Sequence, residues 1–113
     1  MITVSTTEEG LVFGLTKTHR LDLTNAGQLE KKILKKKIHQ VNTVLINLQG
    51  IQFIDTAGFS ILLKIQGGIE KKGSRFCIIN VSDEVKELIH LLKLDQVLNC
   101  AKDPYGITAG VVN

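Results

Sequence analysis

The sequence predicts an α/β domain in which helices lie over a mixed sheet. Three observations lead there. Ile2 and Val4, then Leu11, Phe13 and Leu15, alternate with other residues on either side of Glu8-Glu9-Gly10, which is the pattern of a β-hairpin. Val44-Leu45-Ile46 and the run from Arg75 to Asn80 (RFCIIN) are short and apolar, as strands covered on both faces are. Between and after these runs the apolar residues recur at helical spacing. A hairpin followed by alternating helix and strand units gives helices over a sheet, with right-handed crossovers between parallel neighbours.

Each element has its own local cause. The hairpin turns at Glu9-Gly10. Gly10 to Thr18 (GLVFGLTKT) resembles a phosphate loop but fails as one, because the glycine spacing is wrong and no glycine directly precedes Lys17. Lys17 to Arg20 then read as a polar loop, and Leu21-Asp22-Leu23 as a short extended piece. Thr24 or Asn25 caps a helix over about Ala26 to Ile38. Its core face carries Ala26, Leu29 and Ile33, widened by Leu34 and Ile38, with Lys31, Lys32 and Lys35 opposite and Lys36 and Lys37 in the last turn. That lysine run reads as a solvated helix face, or as a surface for an acidic partner, nucleic acid or a membrane.

After the central strand, Gly50 marks a turn and Asp55 is placed to cap a second helix by accepting from the amides of Ala57 or Gly58. Leu62, Ile65 and Ile69 form its core face, with Gly58 and Ile61 at the edges. Thr56, Phe59, Leu63 and Gly67 form a second stripe roughly 90° round. Two readings of that stripe are open. Phe59 and Leu63 pack under a neighbouring element and Thr56 only starts the helix, or the stripe is a partner-binding surface with Thr56 at its edge. A hydroxyl at the positive end of a helix, beside a carboxylate, suits addition or removal of a phosphate. Lys71-Lys72-Gly73 stops the helix. Ser82 caps a third helix, with Asp83 and Glu84 in its first turn, a stripe of Val85, Leu88, Ile89 and Leu92, and His90 at the surface. Gln96 to Cys100 reads as a last edge strand. The tail from Asp103 carries a proline and two glycines and reads as a short packed turn or a partly loose end.

Composition narrows the function. A chain of 113 residues is one domain, residues 1–113, with room for a single core. Hydrophobic content of 43% and charged content of 22% are ordinary for a globular protein. The net charge of +3, from 14 basic against 11 acidic residues, is mild and mostly local to Lys31–Lys37. One Tyr, four Phe and no Trp leave little aromatic surface for stacking on bases, so direct nucleic-acid binding is not expected. No apolar run approaches the ~20 residues needed to span a bilayer, and the N-terminus lacks the features of a signal peptide. Cys77 and Cys100 have neither metal nor redox spacing, Cys77 is expected to be a small core residue, and the expected compartment is the cytoplasm.

The usual catalytic constellations are missing. His19, His39 and His90 are scattered, with no metal-ligand spacing and no nucleophile motif beside them. The acidic pairs Glu8-Glu9 and Asp83-Glu84 sit at a turn and at a helix start, where acids are common. The expectation is a protein that is not an enzyme and uses neither cofactor nor metal.

The stretch NLQGIQFIDTAGFSILLKI, with Asp55-Thr56-Ala57-Gly58 at a helix start, resembles the motif of STAS domains in the anti-sigma factor antagonist branch. RLDLTNAGQLEKKI is similar to the family's Leu-Asp segment and first helix, and KKGSRFCIINVSDEVKELIHLLKLDQVLNC to its strand, third helix and last strand. The resemblance implies a single STAS-like domain, a mixed sheet of four to five strands with helices mainly on one face. It also implies a phosphorylation-switched binding module. The dephosphorylated form binds an anti-sigma factor that is itself a serine/threonine kinase, and so frees a sigma factor. A PP2C-type phosphatase resets the switch. Carried over by position, Thr56 is the phosphoacceptor, Asp55, Ala57 and Gly58 shape its loop, and Phe59, Ser60, Leu63 and Asp22 meet the partner. With the resemblance in hand, the partner-binding reading of the stripe leads, in a monomer or weak dimer. Rival readings are a STAS subunit that binds the ATPase of a lipid-transport ABC system, a nucleotide-binding STAS module, and a small thiol enzyme using Cys77.

Overall fold

A computed structural model describes residues 1–8, 10–36 and 43–100. Nine elements follow in order. They are β1 (Ile2–Thr6), β2 (Gly10–Leu15), β3 (Arg20–Leu21), α1 (Ala26–Leu34), β4 (Thr43–Asn47), β5 (Phe53–Ile54), α2 (Thr56–Lys71), β6 (Arg75–Ile79) and α3 (Asp83–Leu91). The main sheet has the order β1-β2-β4-β6. The β1–β2 hairpin is antiparallel, closed by Thr7 and Gly10 bonding each other's backbone, and β4 lies parallel to both β2 and β6. The mixed sheet with three helices therefore matches the expected class.

Register decides which side chains face the helices. Leu11, Val44 and Phe76 stand in one row across β2, β4 and β6, and Phe13, Ile46 and Ile78 in the next. All six are buried, in one core with Leu29 and Ile33 of α1, Leu62, Ile65 and Ile69 of α2, and Val85 and Ile89 of α3. Full burial of each such side chain contributes about 1.5–3 kcal/mol, so the helices are held to one face of the sheet mainly by this layer. Where β2 starts, a Cβ on Gly10 would collide with the carbonyl oxygen of Thr43, so only glycine lets the two strands pair there.

Several boundaries differ from expectation. Helix α1 ends at Leu34 with Lys35 as its C-cap, and Leu34 is 65% exposed because it sits about 100° round from Ile33 and beyond the core arc. The expected extension through Lys37 and Ile38 lies outside the described residues. Asn25 is the N-cap of α1 by position, but its side chain makes no capping bond and serves the preceding turn instead. Ser82 does cap α3, accepting from the Val85 amide at 3.2 Å. The α3 stripe is narrower than expected, since Leu88 is half-buried and Leu92 exposed. Gln96 to Cys100 form no strand; the segment turns and touches β6 at one bridge, where the Ile78 amide donates to Asn99 O at 2.9 Å. Cys77 is half-buried rather than buried, because it alternates with Phe76 and Ile78 and so faces away from the helices. The expected loose tail, residues 103–113, lies outside the described residues.

Candidate functional site

The site is the start of α2, and Asp55 builds it. Its Oδ1 accepts from the Gly58 amide at 2.7 Å, satisfying one of the orphan N–H groups of the first turn. Its Oδ2 accepts from the Leu23 amide at 3.3 Å, and its own N–H donates to Leu21 O at 3.3 Å. One residue thus fastens the helix start to the end of β3. Alongside, β3 and β5 form a two-stranded parallel pair with Arg20 opposite Phe53 and Leu21 opposite Ile54. Gly58 is buried against that pair. A Cβ there would come within 2.5 Å of Leu21 O and 2.7 Å of Ile54 Cγ2.

The loop after β3 is closed by Asp22. Its Oδ1 accepts from the Thr24 hydroxyl at 2.6 Å and the Thr24 amide at 3.0 Å, and its Oδ2 accepts from Arg20 Nε at 3.2 Å. The Thr24 bonds, then Arg20, hold the Asp22 carboxyl below the usual carboxylate range against the opposing effect of burial. Asn25 adds two bonds, accepting from the Asp22 amide and donating to Arg20 O, both at 2.9 Å. Asp22 is therefore occupied within its own turn. What the turn presents outward is Leu23, which is 79% exposed. Arg20 lies over the half-exposed Phe53 ring at 4.7 Å from the centroid.

The residues expected to meet a partner separate into two groups. Ser60 is exposed and Leu63 half-buried on the first turns of α2, on the side of the exposed phosphoacceptor candidate Thr56, and Asp22 is half-buried in the turn after β3. Phe59 does not belong with them. It is 3% exposed and packed in the core, which corrects its expected place on the partner surface. The reason is helical phase. Phe59 lies about 60° from Leu62 and Gln66 about 40° on the same side, so the buried arc extends over both; Thr56, at about 120°, falls outside it.

A model of the STAS domain family matches residues 3–104. The chain belongs to the STAS family. Solved STAS structures share the fold. An anti-sigma factor antagonist domain protein of Planctomyces limnophilus superposes with a TM-score of 0.81 at 19% identity, covering 99% of this chain and 98% of that one. The anti-sigma factor antagonist SpoIIAA in its unphosphorylated form gives 0.72 at 24%, covering both chains fully. SpoIIAA of Bacillus in the phosphorylated form gives 0.66 at 22%, covering 96% and 98%. No curated protein matches the sequence.

In this STAS domain two residues escaped the sequence reading. Leu23 reaches the site through β3–β5 pairing and Asp55, contacts some 30 residues distant in sequence that no local pattern announces. Gln66 is a buried polar residue on the core face of α2. Its Nε2 donates to Val97 O at 2.6 Å and its Oε1 accepts from the Asn99 amide at 2.8 Å. Its signal was a lone glutamine inside an apolar stripe. Among the described residues no cluster of His, Cys, Asp and Glu could hold a metal ion, and no helix is long and apolar enough to cross a membrane.

Proposed function

We propose that this chain is a phosphorylation-switched binding module of the anti-sigma factor antagonist type, with Thr56 as the phosphoacceptor. The observation that carries the reading is the exposed Thr56 on the first turn of α2, one residue after the Asp55 cap that also holds the Leu23 amide, and followed along the helix by exposed Ser60 and half-buried Leu63. Membership of the STAS family and the fold shared with SpoIIAA, solved in unphosphorylated and phosphorylated forms, support it. The partner is an anti-sigma factor with serine/threonine kinase activity, and a PP2C-type phosphatase restores the binding form. The domain itself catalyses nothing and works in the cytoplasm.

The switch is electrostatic. A phosphate on Thr56 adds about 1.5–2 negative charges. The amide end of α2 tolerates that charge while it stays in water. A docked partner covering Leu23 and Leu63 would have to strip its water, at a cost of several kcal/mol. Binding is lost without refolding. The contact surface in this reading is Leu23, Thr56, Ser60 and Leu63; Phe59 is left out because it is buried, and Asp22 because its carboxylate is engaged by Thr24 and Arg20.

The test is incubation with ATP and a candidate anti-sigma kinase, followed by mass spectrometry and binding of wild type, Thr56→Ala and Thr56→Glu to that kinase. Phosphate on Thr56, retained binding by Thr56→Ala and loss of at least tenfold in affinity by Thr56→Glu are expected. Equal binding by all three would sink the reading.

A further inference from the structure

On the flank of α2 turned away from Thr56, an open groove of about 290 Å³ runs between α1 and α2. Its floor is Ile33 and Leu34 from α1 and Ile65 and Ile69 from α2. Leu34 is the residue that the core leaves 65% exposed. On the α2 wall stands Gly68, where an added Cβ would meet nothing within 4 Å. The domain's own packing therefore does not require glycine there, although glycine is a poor residue for a helix interior. Its effect is to leave the backbone of α2 open to close approach.

The two helices that form this groove carry a positive excess. Residues 26–36 and 56–72 hold seven lysines and two glutamates, an excess of five positive charges in a chain whose total is only +3. Lys64 and Lys72 form the rim on α2, and on α1 the exposed Lys31 lies about 60° beyond Leu34, while Lys32 and Lys36 turn to the other side of that helix. Glu30, the acid at the groove, is paired to Lys64 at 3.3 Å, which leaves Lys72 on the α2 side and Lys31 on the α1 side. An apolar floor between cationic rims fits an amphipathic segment with leucine-like residues on one face and carboxylates on both flanks. A nucleic acid would not use the apolar floor, and aromatic residues for stacking are lacking.

We infer that the α1–α2 groove is a second docking surface that takes an acidic amphipathic helix of a partner protein. The open space over Gly68 suits a third helix packed against the α2 wall. This surface is independent of the Thr56 switch. Gly68 lies about 120° from Leu62 on the side opposite Thr56, and twelve residues, roughly 18 Å, further along α2.

The test uses the full chain and two labelled synthetic helical peptides of 18 residues with identical leucine faces, one flanked by glutamates and the other by lysines. Fluorescence anisotropy is expected to show binding of the glutamate peptide at least tenfold tighter than the lysine peptide, weakening with salt. Amide shifts are expected to map to residues 30–36 and 64–72. Gly68→Leu, which fills the groove with a better helix former, and the pair Lys31→Glu/Lys72→Glu are each expected to weaken binding tenfold or more with unchanged thermal melting. Thr56→Glu is expected to bind as wild type does, which separates this surface from the switch. Equal affinity for the two peptides, wild-type binding by both groove variants, or capture instead by vesicles of anionic phospholipid that the same variants abolish, would overturn the inference.

Discussion

Gly58→Ala sets two opposed effects against each other, and the geometry decides between them. Alanine is favoured over glycine in a helix by about 1 kcal/mol, and less than that applies in the first turn, where Gly58 sits. Against this, the new methyl group would lie 2.5 Å from Leu21 O and 2.7 Å from Ile54 Cγ2. One of these atoms is backbone, held by the β3–β5 pair and by the bond from the Asp55 amide, and cannot swing aside. The start of α2 must therefore retreat by at least about half an ångström, in a layer where overpacking costs about 1–3 kcal/mol. The net expectation is a loss of about 1–2 kcal/mol, or roughly 4–10 °C in melting temperature for a domain of this size. Urea unfolding followed by circular dichroism measures it. The retreat should also stretch the Asp55–Leu23 bond, so amide exchange at Leu23 should quicken. An alanine variant as stable as wild type, with Leu23 exchange unchanged, would refute the claim that Gly58 is there for close approach.

Other outcomes follow from the same contacts. Asp55→Ala removes the cap of α2 and the acceptor for Leu23, and is expected to cost about 1–2 kcal/mol in urea unfolding; Asp55→Asn should restore the cap to Gly58 but not the bond from Leu23, and so recover part of the loss. Gln66→Ala strands Val97 O and the Asn99 amide and is expected to cost about 2–3 kcal/mol, with exchange at Asn99 faster than at Ile46. Because the Asp22 pKa is lower folded than unfolded, its contribution is present above the unfolded value near 3.8 and is lost as pH falls through the folded value. Melting temperature scanned from pH 5 to 2 should therefore fall less steeply in Asp22→Asn. Burial of its sulfur, then the Cys77 thiol and the Asp95 carboxylate, push the Cys100 thiol up to about 11. At pH 8 only about one molecule in a thousand carries the thiolate there, so iodoacetamide should label Cys100 far more slowly than a free cysteine.

What was legible in the sequence was whatever local chemistry announces. Val44-Leu45-Ile46 is a strand by composition, and Asp55 is a cap by residue type and position; both are where they were expected. Thr56 follows from Asp55, since the residue after an N-cap starts the helix. Spacing alone misplaces Phe59, because the aliphatic residues of α2 mark only part of its buried arc and the hydrogen-bonded Gln66 belongs to it too. β3 and β5 are two residues each, too short to show a period, yet their pairing brings Leu23 to the site. Spacing puts Leu34 at the edge of the core, and only the placement of α2 beside α1 makes it line a groove instead.

The strand order has a consequence for how the chain reaches this state. β4 is the central strand, and its partners lie far away in sequence: Gly10 pairs with Thr43, and Thr43 with Arg75. Only the hairpin can close early. Each parallel ladder must first absorb the entropy of a loop of about thirty residues before any of its bonds form. During synthesis, then, β4 waits with one unsatisfied edge until β6 has emerged, and a chain cut short before Ile79 would expose that edge to strands of other molecules.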